Sequence, residues 1–314
     1  MTSVIQDISD TARWIAYCRA LETERPDALF HDRHARDLAG PRGEEIVRRL
    51  RWARHSAWVV AVRTAVMDEL LMRSLAESGI SCVLNLAAGL DTRPYRLDLP
   101  PGMRWIEVDL PALIDEKERR LAGERPRCDL ERVRLDLSDQ RSRAALLDKV
   151  AAAGRDTLVI SEGLLTYMEG SAVEALCREL AARARLRRWL LDLSGPVVLR
   201  RLYKGRSRRD LESGGSRMRF APDEGPDFFR PFGWRPTEVR YSWDEGRRLG
   251  REPWWMKLIW WTSTANRRRP YQEMTRYLLL ERDVREPAPV SPRLVEEAPS
   301  PTRPTIRMAL ERPR

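Results

Sequence analysis

Histidine is nearly absent from this 314-residue chain, with three occurrences, and cysteine is scarce, with four. Cys18, Cys82, Cys128 and Cys177 form no C-x-x-C pair and have no histidine at ligand spacing. That pattern argues against a zinc site and a disulfide framework, predicts no metal, and fits a reducing cytoplasm. No apolar run approaches the roughly 20 residues that span a bilayer, so no membrane partner is expected. The opening MTSVIQDISD lacks a basic region followed by an apolar one, so a secretory signal is not expected either. There is no internal repeat. Lysine and arginine outnumber aspartate and glutamate by 57 to 47, for a formal charge of +10. Much of the excess is arginine in dispersed pairs such as Arg48-Arg49 and Arg187-Arg188. Dispersal of that kind reads as a solvated surface, and no nucleic-acid partner is expected.

A hydrophobic fraction of 42% is ample for a core. The chain opens with helical spacing, Ile15, Cys18 and Leu21 recurring behind candidate caps Ser9 and Asp10. A longer helix is predicted over 56–78, with Val59, Val66 and Leu70 on one face. From Ser81 onward strands and helices alternate. Strands are predicted at 82–87, 104–108, 132–137, 157–161 and 189–193. A helix is predicted over 171–185, where Ser171 and Glu174 make a capping-box pattern. Near-continuous apolar strands alternating with helices predict an α/β fold, a parallel sheet covered on both faces.

After Ser194 the pattern breaks. Segment 200–220 is rich in arginine, serine and glycine, which predicts mobility. Two late strands are predicted, at 237–243 and 275–282, as an antiparallel edge. Between them PWWMKLIWW carries tryptophans at 254, 255, 260 and 261, read as a helix packed on the core or on a second subunit, with a substrate-pocket wall or a membrane contact as the alternatives. Seven of the chain's 21 prolines fall in residues 284–314, a composition that predicts a disordered tail. The resulting organisation is a helical cap over 1–80, a core over 81–282 with a lid segment near 195–235, and a proline-rich tail over 283–314.

In open α/β sheets, ligands bind outside the carboxyl ends of the strands. The first strand runs into A-A-G-L-D-T, not into the G-x-G-x-x-G that lets backbone approach a pyrophosphate. A nicotinamide oxidoreductase is disfavoured accordingly. One glycine with an aspartate close behind suits S-adenosylmethionine, which has a sulfonium, an ammonium and one carboxylate but no phosphate. The later strand ends add acids. WIEVDLP places Glu107 and Asp109 where ribose hydroxyls would donate, and VRLDLSD places Asp136 near an adenine amine. SEGLLTYM pushes Glu162 out of a buried strand into the crevice. Arg63 lies on the apolar stripe of the 56–78 helix, where a charge needs a partner. Two readings stand for it: a structural ion pair, or a clamp on the cofactor's methionine carboxylate.

LNLAAGLDTRPYRLDLP, WIEVDLPALIDEKERRL, RLDLSD and SEGLLTYM resemble the motifs of the leucine carboxyl methyltransferase family. Its bacterial polyketide-type O-methyltransferase branch, typified by the tetracenomycin carboxyl methyltransferase, is the nearest likeness. The likeness runs from about Ser9 to Arg282 and includes TARWIAYCRALETERPDALFHDRHARDLAG and APDEGPDFFRPFGWRPTEV. It implies a class I, Rossmann-like methyltransferase fold with a mostly parallel seven-stranded sheet, helices on both faces, N-terminal helices and a lid insertion. It also implies S-adenosylmethionine as methyl donor, with Arg63, Ala87, Gly89, Asp109, Asp136, Leu137 and Glu162 as cofactor contacts. Arg19 matches an N-terminal basic residue that meets the cofactor. Family members commonly carry glycine where Ala87 stands; alanine serves there if its φ is negative.

A carboxylate acceptor is already ionised at neutral pH and needs no general base, whereas a phenol with pKa near 10 would profit from one. His31 and His34 sit in a polar turn and read as solvated, and nothing marks His55 as a base. Tyr167 is the candidate polar group on the acceptor side. The resulting expectation is O-methylation of a small-molecule carboxylate, polyketide-like or another secondary metabolite, to a methyl ester. Phenolic or enolic O-methylation is the alternative, and nucleic-acid binding through 200–219 stands behind both. A homo-oligomer is compatible with the sequence.

Overall fold

Short apolar runs separated by amphipathic helices assemble into one seven-stranded sheet in the computed structural model. It describes residues 8–50, 53, 55–77, 79–202, 218–254, 256–257 and 274–283. Helices α1 (Ile8–Thr23), α2 (Ala35–Arg49) and α3 (Ala57–Glu77) precede the sheet. Then come β1 (Cys82–Leu86), a short α4 (Arg93–Arg96), β2 (Arg104–Asp109) and α5 (Pro111–Arg120). The chain continues through β3 (Asp129–Arg134), α6 (Gln140–Ala152), β4 (Thr157–Ser161), α7 (Gly170–Ala181) and β5 (Leu186–Ser194). After α8 (Pro196–Leu202) it adds β6 (Trp234–Tyr241), α9 (Ser242–Arg248) and β7 (Thr275–Arg282).

The strand order is β3-β2-β1-β4-β5-β7-β6. The first five strands pair in parallel, and β7 runs antiparallel to both β5 and β6. The sheet is therefore mixed, with the antiparallel edge where two late strands are predicted. Alternate residues of each central strand serve two cores, because side chains alternate between faces. Leu84 and Val159 pack with Leu147, Val173 and Leu176 of α6 and α7 on one face. Val83, Leu158, Ile160 and Leu190 pack with Val62, Val66 and Leu70 of α3 on the other. Trp189 anchors the first core edge-on to Phe229 and Trp234, with centroids 5.5 and 5.6 Å away. Such pairs add about 0.5–1.5 kcal/mol beyond burial.

Several local expectations shift. The third strand ends at Arg134, opposite Asp109, and not at residue 137. The alternation of Val133, Leu135 and Leu137 continues as core packing after the ladder has stopped. Helix α7 is capped by Glu169, so Ser171 lies inside its first turn and no capping box forms. Asp10 likewise sits inside α1, where its carboxylate receives Arg42 at 2.7 and 2.9 Å. His34 is buried and not solvated, edge-on to Tyr95 at 5.5 Å. Residues 203–217, the tryptophans at 255, 260 and 261, and the tail from 284 lie outside the described residues, while Trp254 is exposed. No helix among the described residues is long and apolar enough to cross a membrane.

Strand order reverses between β1 and β4, so their carboxyl ends open a crevice between diverging connections.

Candidate active site

The turn after β1 is pinned to its neighbour β2. Ala88 N donates to Val108 O at 3.1 Å, and Gly89 N donates to Asp109 Oδ2 at 2.6 Å. Two residues here are left-handed, Ala87 with φ 56° and Gly89 with φ 51°. Ala87 thus departs from the negative φ that would have suited it. A left-handed non-glycine residue costs roughly 1–2 kcal/mol. At Gly89 the nearest atom to an added Cβ would be Ala12 Cβ at 3.9 Å. Backbone conformation, not crowding, makes glycine suitable at that position.

Asp109 ends β2 and is buried. Its second oxygen accepts from Leu110 N at 2.7 Å. Burial raises its pKa above 3.8, only partly opposed by the Gly89 and Leu110 N–H groups and the charge of Lys117. Each carboxylate oxygen keeps a lone pair beyond these bonds. Glu107, two residues earlier, does not reach the crevice. It is fully buried between Lys117 Nζ at 2.8 Å and Arg132 Nε at 2.9 Å. Two residues apart, they share one face of β2, but Glu107 sits within the ladder opposite Asn85 while Asp109 closes the strand's end. Asp136 lies two residues past β3, exposed, with its Oδ1 accepting from Ser138 N at 2.8 Å. Leu137 follows, its carbonyl accepting from Arg143, which Glu179 holds at 2.8 Å through both carboxylate oxygens.

Glu162, one residue past β4, enters a buried charge network. Its Oε1 lies 2.9 Å from Arg63 Nε, close enough for an ion pair though not aligned for a hydrogen bond. Its Oε2 lies 2.9 Å from Arg93 Nη2. Arg63 also donates to Asp192 at 3.2 Å, and Asp192 accepts from Gly163 N at 2.6 Å. Arg93 reaches Asp68 at 2.6 Å and Asp91 at 2.9 Å, and Arg96 shares Asp68 at 2.5 and 3.0 Å. Burial alone would raise the Glu162 pKa, but Arg93 and Arg63 outweigh it and hold the carboxyl below 4.5. Asp91 is likewise driven well below its ordinary value, Arg93 and Lys117 overcoming its burial. Three guanidinium groups thus face four carboxylates, Asp68, Asp91, Glu162 and Asp192. Asp68 lies off the cavity wall, and among the described lining residues six arginines meet six acids, Asp91, Asp109, Asp136, Glu162, Glu169 and Asp192.

Arg19 approaches from α1. It pairs with Asp32 at 2.9 Å and donates to Leu90 O at 2.5 Å, while Thr92 Oγ1 donates to Asp32 at 2.7 Å. The N-terminal helices are fastened in this way to the β1 turn. Tyr167 ends a single 3-10 turn, Leu165–Tyr167, that follows β4. Of the residues singled out from the sequence, Glu107 stays outside, while Arg19, Arg63, Ala87, Gly89, Asp109, Asp136, Leu137, Glu162 and Tyr167 line one cavity of about 1020 Å³. Ligand pockets usually fall in the range of about 300–1,000 Å³, so there is room for a cofactor and an acceptor together. Trp14, Ile15, Val59, Val60, Met168 and Met274 give it apolar walls, and among the described residues no histidine lines it. Sequence reasoning pointed to Asp91 only as the aspartate close behind Gly89, and gave Arg93 and Asp192 no role. Asp192 had a readable signal, a lone acid inside the apolar strand LLDLS, where an unpaired charge is costly.

The family model described as leucine carboxyl methyltransferase matches residues 12–181. A provisionally named S-adenosyl-L-methionine-dependent methyltransferase of Streptomyces avermitilis is 37% identical over 190 residues, covering 55% of this chain and 64% of that protein. A Streptomyces coelicolor protein of the same description is 37% identical over 212 residues, covering 62% of this chain and 72% of its own length. One from Mycolicibacterium smegmatis is 32% identical over 276 residues, 78% of this chain and 90% of that protein. The crystal structure of a DUF574 family protein from Streptomyces avermitilis shares the fold, with TM-score 0.57 at 15% identity over 87% of this chain and 97% of that one.

Proposed function

The chain belongs to the leucine carboxyl methyltransferase family, and from that premise we propose that its strand-end cavity binds S-adenosylmethionine and methylates an oxygen of a small acceptor. The observation that carries this is the meeting of Gly89, Asp109, Asp136 and Glu162, from four separate strand ends, around one cavity. Their donor set fits the cofactor piece by piece. The free lone pairs of Asp109 accept from ribose hydroxyls, and Asp136 accepts from the adenine amine. The left-handed backbone at Ala87 and Gly89 leaves the turn open to the amino-acid moiety. Carboxylates on the cavity wall offset sulfonium and ammonium charge, and Arg63, held by Glu162 and Asp192, offers a guanidinium to the carboxylate. Arg19 sets the same turn from the other side through Leu90 O. When bound, the cofactor supplies an electrophilic methyl group.

The protein's own contribution is placement. Holding a nucleophile in line with the methyl group supplies about 7–11 kcal/mol through proximity and orientation. With no histidine among the described residues of the cavity wall, the acceptor best served is one already ionised, a carboxylate on a bulky, partly apolar molecule of the secondary-metabolite kind. Tyr167 faces it as an orienting group. Incubation with methyl-labelled cofactor and a candidate acid, followed by mild base, tests the reading. An ester releases its label as methanol. Label retained on a genuine product means a phenolic or enolic oxygen is methylated instead.

A further inference from the structure

Among the described residues, six arginines line the cavity: Arg19, Arg63, Arg93, Arg96, Arg143 and Arg219. The first five are committed to acids that are at most 16% exposed. Arg219 is different. Its ion-pair partner is Glu169, and the two side chains are 46% and 63% exposed. A pair so open to water holds its members weakly, because solvent screens the attraction and ordering two long side chains opposes it. The backbone, by contrast, is fixed. Arg219 N donates to Thr166 O at 2.7 Å and Phe220 N to the same oxygen at 3.2 Å. Phe220 is buried, edge-on to Phe228 at 5.0 Å. The anchor, Thr166, lies in the turn after β4 beside Tyr167.

We propose that Arg219 is the specificity residue of the acceptor subsite. Its guanidinium takes a carboxylate of the acceptor at the solvent side of the cavity, and Glu169 is the internal competitor that this carboxylate displaces. The planar fork matches a carboxylate bidentately, and Met168 and Met218 beside it receive an apolar body. Nothing needs to unfold for the exchange, since only the exposed side chains turn. The assignment rests on the methyl-transfer reading of the cavity, and adds to it the residue that selects the acceptor's charge.

The two halves of the pair give effects of opposite sign. Full-length protein saturated with S-adenosylhomocysteine is titrated calorimetrically with 2-naphthoate and with its uncharged isostere 2-naphthamide. The acid should bind about tenfold more tightly than the amide, the worth of one charge-assisted contact. Arg219→Gln should erase that preference, and Glu169→Gln should enlarge it. Equal affinity for acid and amide in the wild type, including no measurable binding of either, overturns the proposal. So does a preference that survives Arg219→Gln. Titration with S-adenosylhomocysteine alone separates the two layers. If it fails to bind, the cavity has been misread; if it binds and the acid preference is absent, only the role of Arg219 falls.

Discussion

Ala87 holds a φ of 56° in the turn that follows β1, a conformation that its Cβ opposes. The turn is over-determined by the bonds of Ala88 and Gly89 to β2, so the strain is carried and not relaxed. Replacement by glycine removes roughly 1–2 kcal/mol of steric cost. It also adds chain entropy to the unfolded state, which takes back about 0.5–1 kcal/mol. The net expectation for Ala87→Gly is a gain of up to about 1.5 kcal/mol, seen as a melting temperature about 3 °C higher at most. A lower melting temperature would mean that the alanine methyl group makes a compensating contact. Gly89, with nothing but Ala12 near its missing Cβ, carries no such reserve.

Helix α3 and strand β5 show how a buried charge network is assembled from elements far apart in the chain. Arg63 comes from α3 and pairs directly both with Asp192 of β5 and with Glu162, one residue past β4. The spacing of Val59, Arg63 and Val66 made the arginine legible as a buried charge on an apolar face, but not its partners, which depend on the order of β4 and β5 in the sheet. For the same reason Glu107 and Asp109 could not be told apart as strand-end acids. Their separation depends on where β2 stops against β3, and β3 itself is charged and weakly patterned. The central strands were readable because burial on both faces makes them continuously apolar; β4 and β7 fall where the pattern puts them. Removal of Arg63 leaves Asp192 in the interior with only the Gly163 N–H. Breaking a buried pair in this way costs about 3–5 kcal/mol, so Arg63→Met should be strongly destabilised. Adding Asp192→Asn removes the orphaned charge and should restore most of the stability lost. Cofactor affinity should stay low in the double variant, since the guanidinium that meets the carboxylate is still missing. Wild-type affinity for S-adenosylhomocysteine in that variant would make Arg63 a purely structural residue.

Across the whole molecule a formal charge of +10 surrounds a cavity whose described lining arginines and acids balance, six against six. The acids that fasten its parts together are held ionised. Asp32, which ties α1 to the β1 turn, is kept below 3.8 because Arg19 and Thr92 outweigh its burial, and Glu162 is kept below 4.5 by Arg93 and Arg63. A carboxyl depressed in the folded state stabilises it fully above the unfolded pKa and loses that contribution as pH falls through the folded value. Loss of the fold should therefore set in only below about pH 4.5. Asp109 has the other sign: burial lifts it above 3.8, so it takes up its proton earlier, and its protonation favours the folded state. Cofactor hydroxyls need the ionised form to donate to. Acidification should then remove binding before it removes structure. Product at 100 times its dissociation constant adds about 2.7 kcal/mol to stability, and the corresponding rise in melting temperature should shrink with falling pH while the unliganded protein still melts at its neutral-pH temperature. Asp109→Asn should weaken binding by about 1–3 kcal/mol and flatten that pH dependence. Melting curves with and without S-adenosylhomocysteine between pH 7.5 and 3.5 decide it. A ligand-induced rise that persists down to the pH at which the free protein unfolds would take Asp109 out of the binding site.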